Sequence, residues 1–203
     1  MLALNLALAP LALFVFVAAI TPGPNNLLVM RSGARFGLQP TTRHILGIET
    51  GMVGLLLLAH LGLGALLLAL PLAFTVLRWA CFGYLLWLAW VTLRDPGPVA
   101  ASNGADSQPM GYTQAVLFQL INPKAWMMAV TGVSAFNTAG SPGAGDLAAV
   151  VAVFLAIGFP CVLTWALWGA AIHRLLHKAG ARRVFNIAMA VLVAGSAVLM
   201  LQG

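Results

Sequence analysis

The feature that most constrains this chain is a series of six apolar stretches, each long enough to form a membrane-spanning segment. They cover approximately residues 7–30, 44–70, 72–93, 112–137, 147–172 and 184–202. The apolar character of each stretch is continuous rather than alternating, which indicates helices instead of barrel strands. The sequence therefore predicts an all-α membrane protein with six transmembrane helices.

The amino-acid composition supports this prediction. Hydrophobic residues make up 62% of the 203 residues, charged residues make up 7%, and the mean hydropathy is +0.99. Soluble domains have about 45–50% apolar and about 25% charged residues. A soluble enzyme fold and a free nucleic-acid-binding protein are therefore excluded. The N-terminal apolar run has no Lys or Arg before Arg31, so we expect a retained helix rather than a signal peptide.

The distribution of positive charge predicts the orientation in the membrane. Ten Lys and Arg residues and four Asp and Glu residues give a net charge of +6. Eight of the ten lie in three alternate loops, namely Arg31, Arg35, Arg43, Arg94, Arg174, Lys178, Arg182 and Arg183. Loops rich in Lys and Arg stay in the cytoplasm. We therefore expect both termini on the opposite side, and the positive charge needs no nucleic acid to explain it.

The two halves of the chain carry matching interruptions. Ile20-Thr21-Pro22 and Ile121-Asn122-Pro123 lie half the chain length apart, and each interrupts the first apolar stretch of its half. Because each half has an odd number of spans, the second half must be inverted relative to the first. We predict one transporter domain over 1–203, built from inverted three-helix repeats with broken first helices. The repeats are 1–94 and 112–203, joined by a linker over 95–111.

The first interruption reads Thr21-Pro22-Gly23-Pro24-Asn25-Asn26. Proline has no N–H group, so the carbonyls of Ala18 and Ile20 lose their helical partners. Unsatisfied carbonyls cost several kcal/mol in a bilayer. Water or a substrate ammonium could satisfy them, and the N-terminus of the following half-helix could hold a carboxylate. An amino acid carries both groups, so we interpret all six residues as part of a substrate site; the alternative is a simple proline kink.

The second interruption contains Gln119, Asn122, Pro123 and Lys124. Lys124 falls at mid-depth in the fourth stretch, where a cation costs about 2.5–3.5 kcal/mol. It could bind a substrate carboxylate, pair with Glu49 or extend toward the membrane surface. Glu49, inside the second stretch, could bind a substrate ammonium, carry a proton, pair with Lys124 or lie near the headgroups. We include these residues in the predicted substrate site, and we see no metal-binding, cofactor-binding or catalytic motif.

Glycines and cysteines inside the apolar stretches have structural interpretations. Gly47, Gly51 and Gly54 line one side of the second stretch and predict close helix packing there. Cys81 and Cys161 each lie inside an apolar run. They are interpreted as buried packing residues, although a transmembrane thiol–disulfide carrier remains an alternative. A structural membrane protein without transport activity is a further alternative, which leaves Lys124 unexplained.

At these motifs the chain resembles the LysE/RhtB family of amino-acid exporters. The resemblance covers nearly the whole chain, and Asn25, Asn26, Asn122 and Lys124 match motif positions of the family. Thr42-Arg43 and the region from 165 to 174 resemble the cysteine/O-acetylserine branch. With the periplasmic termini that the positive charges predict, the resemblance implies multi-pass secondary efflux of amino acids or their derivatives across the bacterial inner membrane, driven by the proton-motive force. It implies no enzyme activity and no cofactor, and it is compatible with a homodimer.

Overall fold

A computed structural model describes residues 2–63, 69–94, 108–134 and 144–202. Throughout these ranges the regular structure is helical. The α-helices are α1 (Leu2–Ile20), α2 (Pro24–Phe36), α3 (Leu38–His60), α4 (Pro71–Leu93), α5 (Tyr112–Ile121), α6 (Pro123–Ser134), α7 (Ala144–Ile172) and α8 (Ala179–Gln202). A 3-10 helix over His173–His177 joins α7 to α8. The predicted all-α class is confirmed, whereas most of the predicted linker, 95–107, lies outside the described residues.

Four helices, α3, α4, α7 and α8, contain segments long and apolar enough to cross a membrane. Helices α1 and α2 meet at a bend of 53° and provide a fifth span if the pair is taken together. The predicted fourth span is divided at Asn122 into α5 and α6, which have 10 and 12 residues. Neither half is long enough to cross alone. The described helices therefore supply four or five spans, where the sequence predicted six.

Two glycines end helices at places that the hydropathy pattern did not reveal. The predicted second span covers 44–70, but α3 begins at Leu38 and ends at His60. Gly62 has φ +85, and its N–H donates to the Ala59 carbonyl at 3.0 Å. Gly37 has φ +81 and separates α2 from α3. Glycine adopts this left-handed conformation without the steric penalty of a side chain, so a helix can stop inside an apolar run.

Helices α3 and α7 run through the centre of the molecule, because both contribute to both clusters of buried apolar residues. The most extensive packing joins α2 to α7, α4 to α8, α3 to α5 and α1 to α7. Further contacts join α3 to α7 and α3 to α6. If α1, α2, α3 and α4 are exchanged in that order with α5, α6, α7 and α8, each of these contacts becomes another contact of the set or stays the same. The contact between α2 and α7, for example, becomes the contact between α6 and α3. The two broken helices thereby pack against the central pair.

Glycines allow these helices to approach closely. A Cβ atom added to Gly33 on α2 would collide with the backbone of α7 at the Ala166 carbonyl. On α3, a Cβ atom at Gly51 would lie 2.6 Å from Cγ of Gln119, and one at Gly47 would lie 2.7 Å from Cβ of Ala115. The predicted packing role is confirmed for Gly47 and Gly51. It is wrong for Gly54, where the described part of the chain leaves open space.

Candidate functional site

The first helix break is held together by side chains that satisfy its carbonyl groups. Thr21 Oγ1 donates to the Ala18 carbonyl at 3.0 Å, and the indole N–H of Trp165 donates to the Ile20 carbonyl at 3.2 Å. Asn26 Nδ2 donates to the carbonyls of Ala19, at 2.7 Å, and Thr21, at 2.8 Å. The Ala18 and Ile20 carbonyls, which the proline pattern leaves without helical partners, each therefore accept a hydrogen bond from a side chain of the protein.

The second break is closed in a comparable way. The Asn122 N–H donates to the Gln119 carbonyl at 3.2 Å, and the Lys124 N–H donates to Asn122 Oδ1 at 3.2 Å. The indole N–H of Trp126 donates to the Leu120 carbonyl at 3.0 Å. Helix α6 then begins at Pro123, whose missing N–H is tolerated at the first position of a helix. Both predicted interruptions are thus confirmed as breaks in the helices.

Gln119 connects the two breaks to the central helix α3. Its Nε2 donates to the Ile48 carbonyl at 3.0 Å, which fixes the orientation of the side-chain amide. Its Oε1 then accepts a hydrogen bond from Asn25 Nδ2 at 2.9 Å and another from Asn122 Nδ2 at 3.4 Å. The Gln119 side chain is fully buried. One side chain therefore sets the positions of three separate elements.

Lys124 reaches from the second break to the first. Its Nζ donates to the Thr21 carbonyl at 3.2 Å and to Thr21 Oγ1 at 3.0 Å. A Cβ atom at Gly23 would lie 2.9 Å from this Nζ, so the glycine leaves the space that the lysine occupies. Of the alternatives raised from the sequence, an ion pair between Lys124 and Glu49 is not observed among the described residues.

Glu49 lies on α3 with only 9% of its surface exposed. Its Oε2 is 3.8 Å from the position that a Cβ atom of Gly158 on α7 would take. In the described part of the chain its carboxylate has no hydrogen-bonding partner. The carboxylate therefore lies between α3 and α7, and no cation of the described ranges pairs with it.

A small cavity brings most of the predicted site residues together. Its volume is about 60 Å³, which is enough to hold water. Eight predicted residues line it, namely Gly23, Pro24, Asn25, Asn26, Glu49, Gln119, Asn122 and Lys124. Thr21, Pro22 and Pro123 do not line it. Thr21 instead binds the Lys124 ammonium, and the two prolines shape the breaks.

The sequence analysis missed the apolar wall of this cavity. Phe154, Gly158 and Val162 of α7 line it, together with Met52 and Met128. Apolar residues inside apolar helices carry no signal that distinguishes a cavity wall from a lipid-facing surface. Helix α7 continues through Pro160 without a break beside this wall.

The family model described as LysE type translocator matches residues 16–203. Cysteine/O-acetylserine efflux proteins of Escherichia coli strain K12 and of Shigella flexneri are similar to this chain. Each is 29% identical to it over 185 residues, which are 91% of this chain and 92% of the relative. No solved structure matches the chain with statistical significance.

The matched region includes both helix breaks, the central helices and every residue that lines the cavity except Val15. Translocators of this type are multi-pass membrane transporters and not enzymes, in agreement with the apolar helices. The chain therefore belongs to the LysE family of translocators.

Proposed function

We propose that this protein exports a small amino acid or amino-acid derivative from the bacterial cytoplasm, in exchange for protons. The observation that carries this proposal is the single cavity between the two helix breaks. Its lining contains one cation, Lys124, and one carboxylate, Glu49, which are not paired with each other. An amino acid carries one charge of each sign, so its binding leaves the cavity electrically balanced. Unpaired charges in a low-dielectric site are costly, and the substrate would compensate both.

The names of the similar proteins indicate candidate substrates. The relatives described above are named for the efflux of cysteine and O-acetylserine, and both compounds are small. These two amino acids are therefore the first candidates for the substrate.

The proposed transport cycle uses the two halves as inverted repeats, 1–94 and 112–203, that rock around the cavity. Two observations support this arrangement: the helix contacts interchange when the halves are exchanged, and a broken helix begins each half. The remaining sixth span would be formed by α5 and α6 together. The distribution of Lys and Arg favours periplasmic termini in this arrangement. Assembly as a homodimer stays a prediction.

Counterflow in proteoliposomes tests the function directly. Purified protein would be reconstituted with unlabelled amino acid inside, and uptake of labelled amino acids from a panel would be measured. We expect cysteine or O-acetylserine to exchange, and we expect Lys124→Met to lose exchange because the substrate carboxylate would be left unpaired. Exchange of no amino acid, or normal exchange by Lys124→Met, would contradict the proposal.

Coupling to protons is measured in the same vesicles with an imposed gradient. One proton crossing 100 mV contributes about 2.3 kcal/mol, which supports an accumulation ratio of about fifty. We expect net accumulation under a proton gradient and its collapse with a protonophore. Accumulation that persists with the protonophore would show a different driving ion.

A further inference from the structure

Two hydrogen-bond acceptors of residues that line the cavity, Asn25 Oδ1 and the Glu49 carboxylate, have no partner among the described residues. Asn25 Oδ1 is buried and has no hydrogen-bonding partner within the described residues. Its assignment as the oxygen follows from the network, because Asn25 Nδ2 must donate to Gln119 Oε1. The Glu49 carboxylate lines the same cavity and is likewise unpartnered. A buried acceptor without a donor is costly, and more so if it is charged, so a ligand that donates hydrogen bonds would be stabilised by this pair.

The network around Gln119 holds both acceptors in place. Gln119 bonds to Asn25 through Oε1 and to the Ile48 carbonyl through Nε2. Ile48 directly precedes Glu49 on α3. The amide oxygen of Asn25 and the backbone that carries Glu49 are therefore positioned by the same side chain. Such support from a neighbouring residue is typical of a preorganised binding site.

Lys124 also lines the cavity, but its ammonium contacts neither of these acceptors. Lys124 Nζ binds both oxygens of Thr21 and not the Glu49 carboxylate. The carbonyls of the first break are occupied by donors from Thr21, Asn26 and Trp165. A substrate ammonium thus finds its free acceptors at Asn25 and Glu49, whereas a substrate carboxylate finds its donor at Lys124.

We infer that Glu49 and Asn25 Oδ1 together form the ammonium subsite of this transporter and determine its specificity for a free α-amino group. This inference rests on the proposed function and gives the substrate a direction in the cavity. The ammonium lies between Glu49 on α3 and Asn25 at the start of α2, and the carboxylate lies beside Lys124 at the start of α6. The freed backbone carbonyls, which the proline pattern had suggested for this role, take no part in it.

Two substrate analogues separate the two ends of the site. In the 2-hydroxy acid, a hydroxyl replaces the ammonium; in the amino alcohol, a hydroxymethyl group replaces the carboxylate. Each would compete, unlabelled, against the labelled amino acid in counterflow. A hydrogen bond to a charged group contributes about 1.5–3 kcal/mol, so we expect the hydroxy acid to compete roughly ten- to a hundredfold less well with the wild-type protein.

The variants should affect the two analogues separately. The penalty of an analogue is the factor by which it competes less well than the amino acid itself. With Glu49→Gln, the penalty for the hydroxy acid should fall close to one, while the penalty for the amino alcohol remains. For Lys124→Met, which is expected to lose exchange, the analogues compete instead for binding of the labelled amino acid to the purified variant, and the reverse should hold. Asn25→Ala should reduce the hydroxy-acid penalty in part. Thr164→Val is the control, since this hydroxyl on α7 bonds only to the Pro160 carbonyl of its own helix, at 2.8 Å, and both penalties should keep their wild-type values.

The result with Glu49→Gln tests the ammonium subsite, and exchange by the wild-type protein tests the proposed function. If counterflow by Glu49→Gln is too slow, binding of labelled amino acid to the purified variant gives the same ratios. An unchanged hydroxy-acid penalty in Glu49→Gln overturns the ammonium subsite, and so does an equal loss of both penalties. In either case the proposed function stands, provided that the wild-type protein exchanges amino acids. A wild-type protein that exchanges none overturns the proposed function itself.

Discussion

Replacing Gln119 with leucine should uncouple the two helix breaks from α3. The substitution keeps a similar volume in the core but removes three hydrogen bonds, those to Asn25, Asn122 and the Ile48 carbonyl. Hydrogen bonds between membrane helices average about 0.6 kcal/mol and reach about 1.7 kcal/mol. The three together give a loss of about 2–5 kcal/mol in the free energy of unfolding, if each contributes independently.

The lower end of this range applies if water in the cavity replaces the lost acceptor for Asn25 and Asn122. The loss of unfolding free energy at Asn25 should lie near the upper value for a single hydrogen bond, because its Nδ2 has no second acceptor among the described residues. Transport should fall more than stability does, since Asn25 would rotate freely and the spacing between the breaks would relax.

Unfolding of the purified protein in mixed micelles with increasing SDS measures this free energy. Gln114→Leu is the matched control, because Gln114 lies on the same helix but is exposed, and its Oε1 accepts a single bond from the Gly111 N–H at 2.9 Å. We expect the control to lose less than about 1 kcal/mol. If Gln119→Leu unfolds at the same SDS fraction as Gln114→Leu, then Gln119 does not join the breaks in the way described.

Three further predictions follow from the packing, the charges and the thiols. Gly47→Val should destabilise the protein by about 1–3 kcal/mol through overpacking against α5, whereas Gly54→Val on the open side of α3 should unfold like the wild type; equal effects would contradict the packing. Alkaline phosphatase fused after Gly203 should be active, and an inactive but well-expressed fusion would place the C-terminus in the cytoplasm. Cys81→Ser combined with Cys161→Ser should leave efflux unchanged, because both thiols are buried and unpaired; loss of efflux with normal expression would revive the thiol-carrier alternative.

The sequence predicted the breaks well because proline acts locally. Pro22 and Pro123 remove donors that a helix needs, and no tertiary contact can restore them. Glycine at 47 and 51 likewise predicted close packing from spacing alone. In both cases the residue that produces the feature lies in the segment of chain where the feature occurs.

The partners at the breaks could not be predicted, because they come from distant parts of the chain. Trp165 bonds to the Ile20 carbonyl across 145 positions, and Lys124 bonds to Thr21 across 103. Proline spacing shows which carbonyls lose a partner but not which side chain replaces it. The same limit applies to Glu49, whose four interpretations from the sequence differ only in what faces it across the cavity.

The two indole groups at the breaks have a practical consequence. Trp165 and Trp126 each donate to a backbone carbonyl beside a break and are 8% exposed. The other four tryptophans are 51–56% exposed, namely Trp79, Trp87, Trp90 and Trp168. A chain in which phenylalanine replaces those four would emit only from the two breaks. Its fluorescence would then follow each broken helix as substrate binds, with no attached dye, and removing either remaining indole would tell which break moves first.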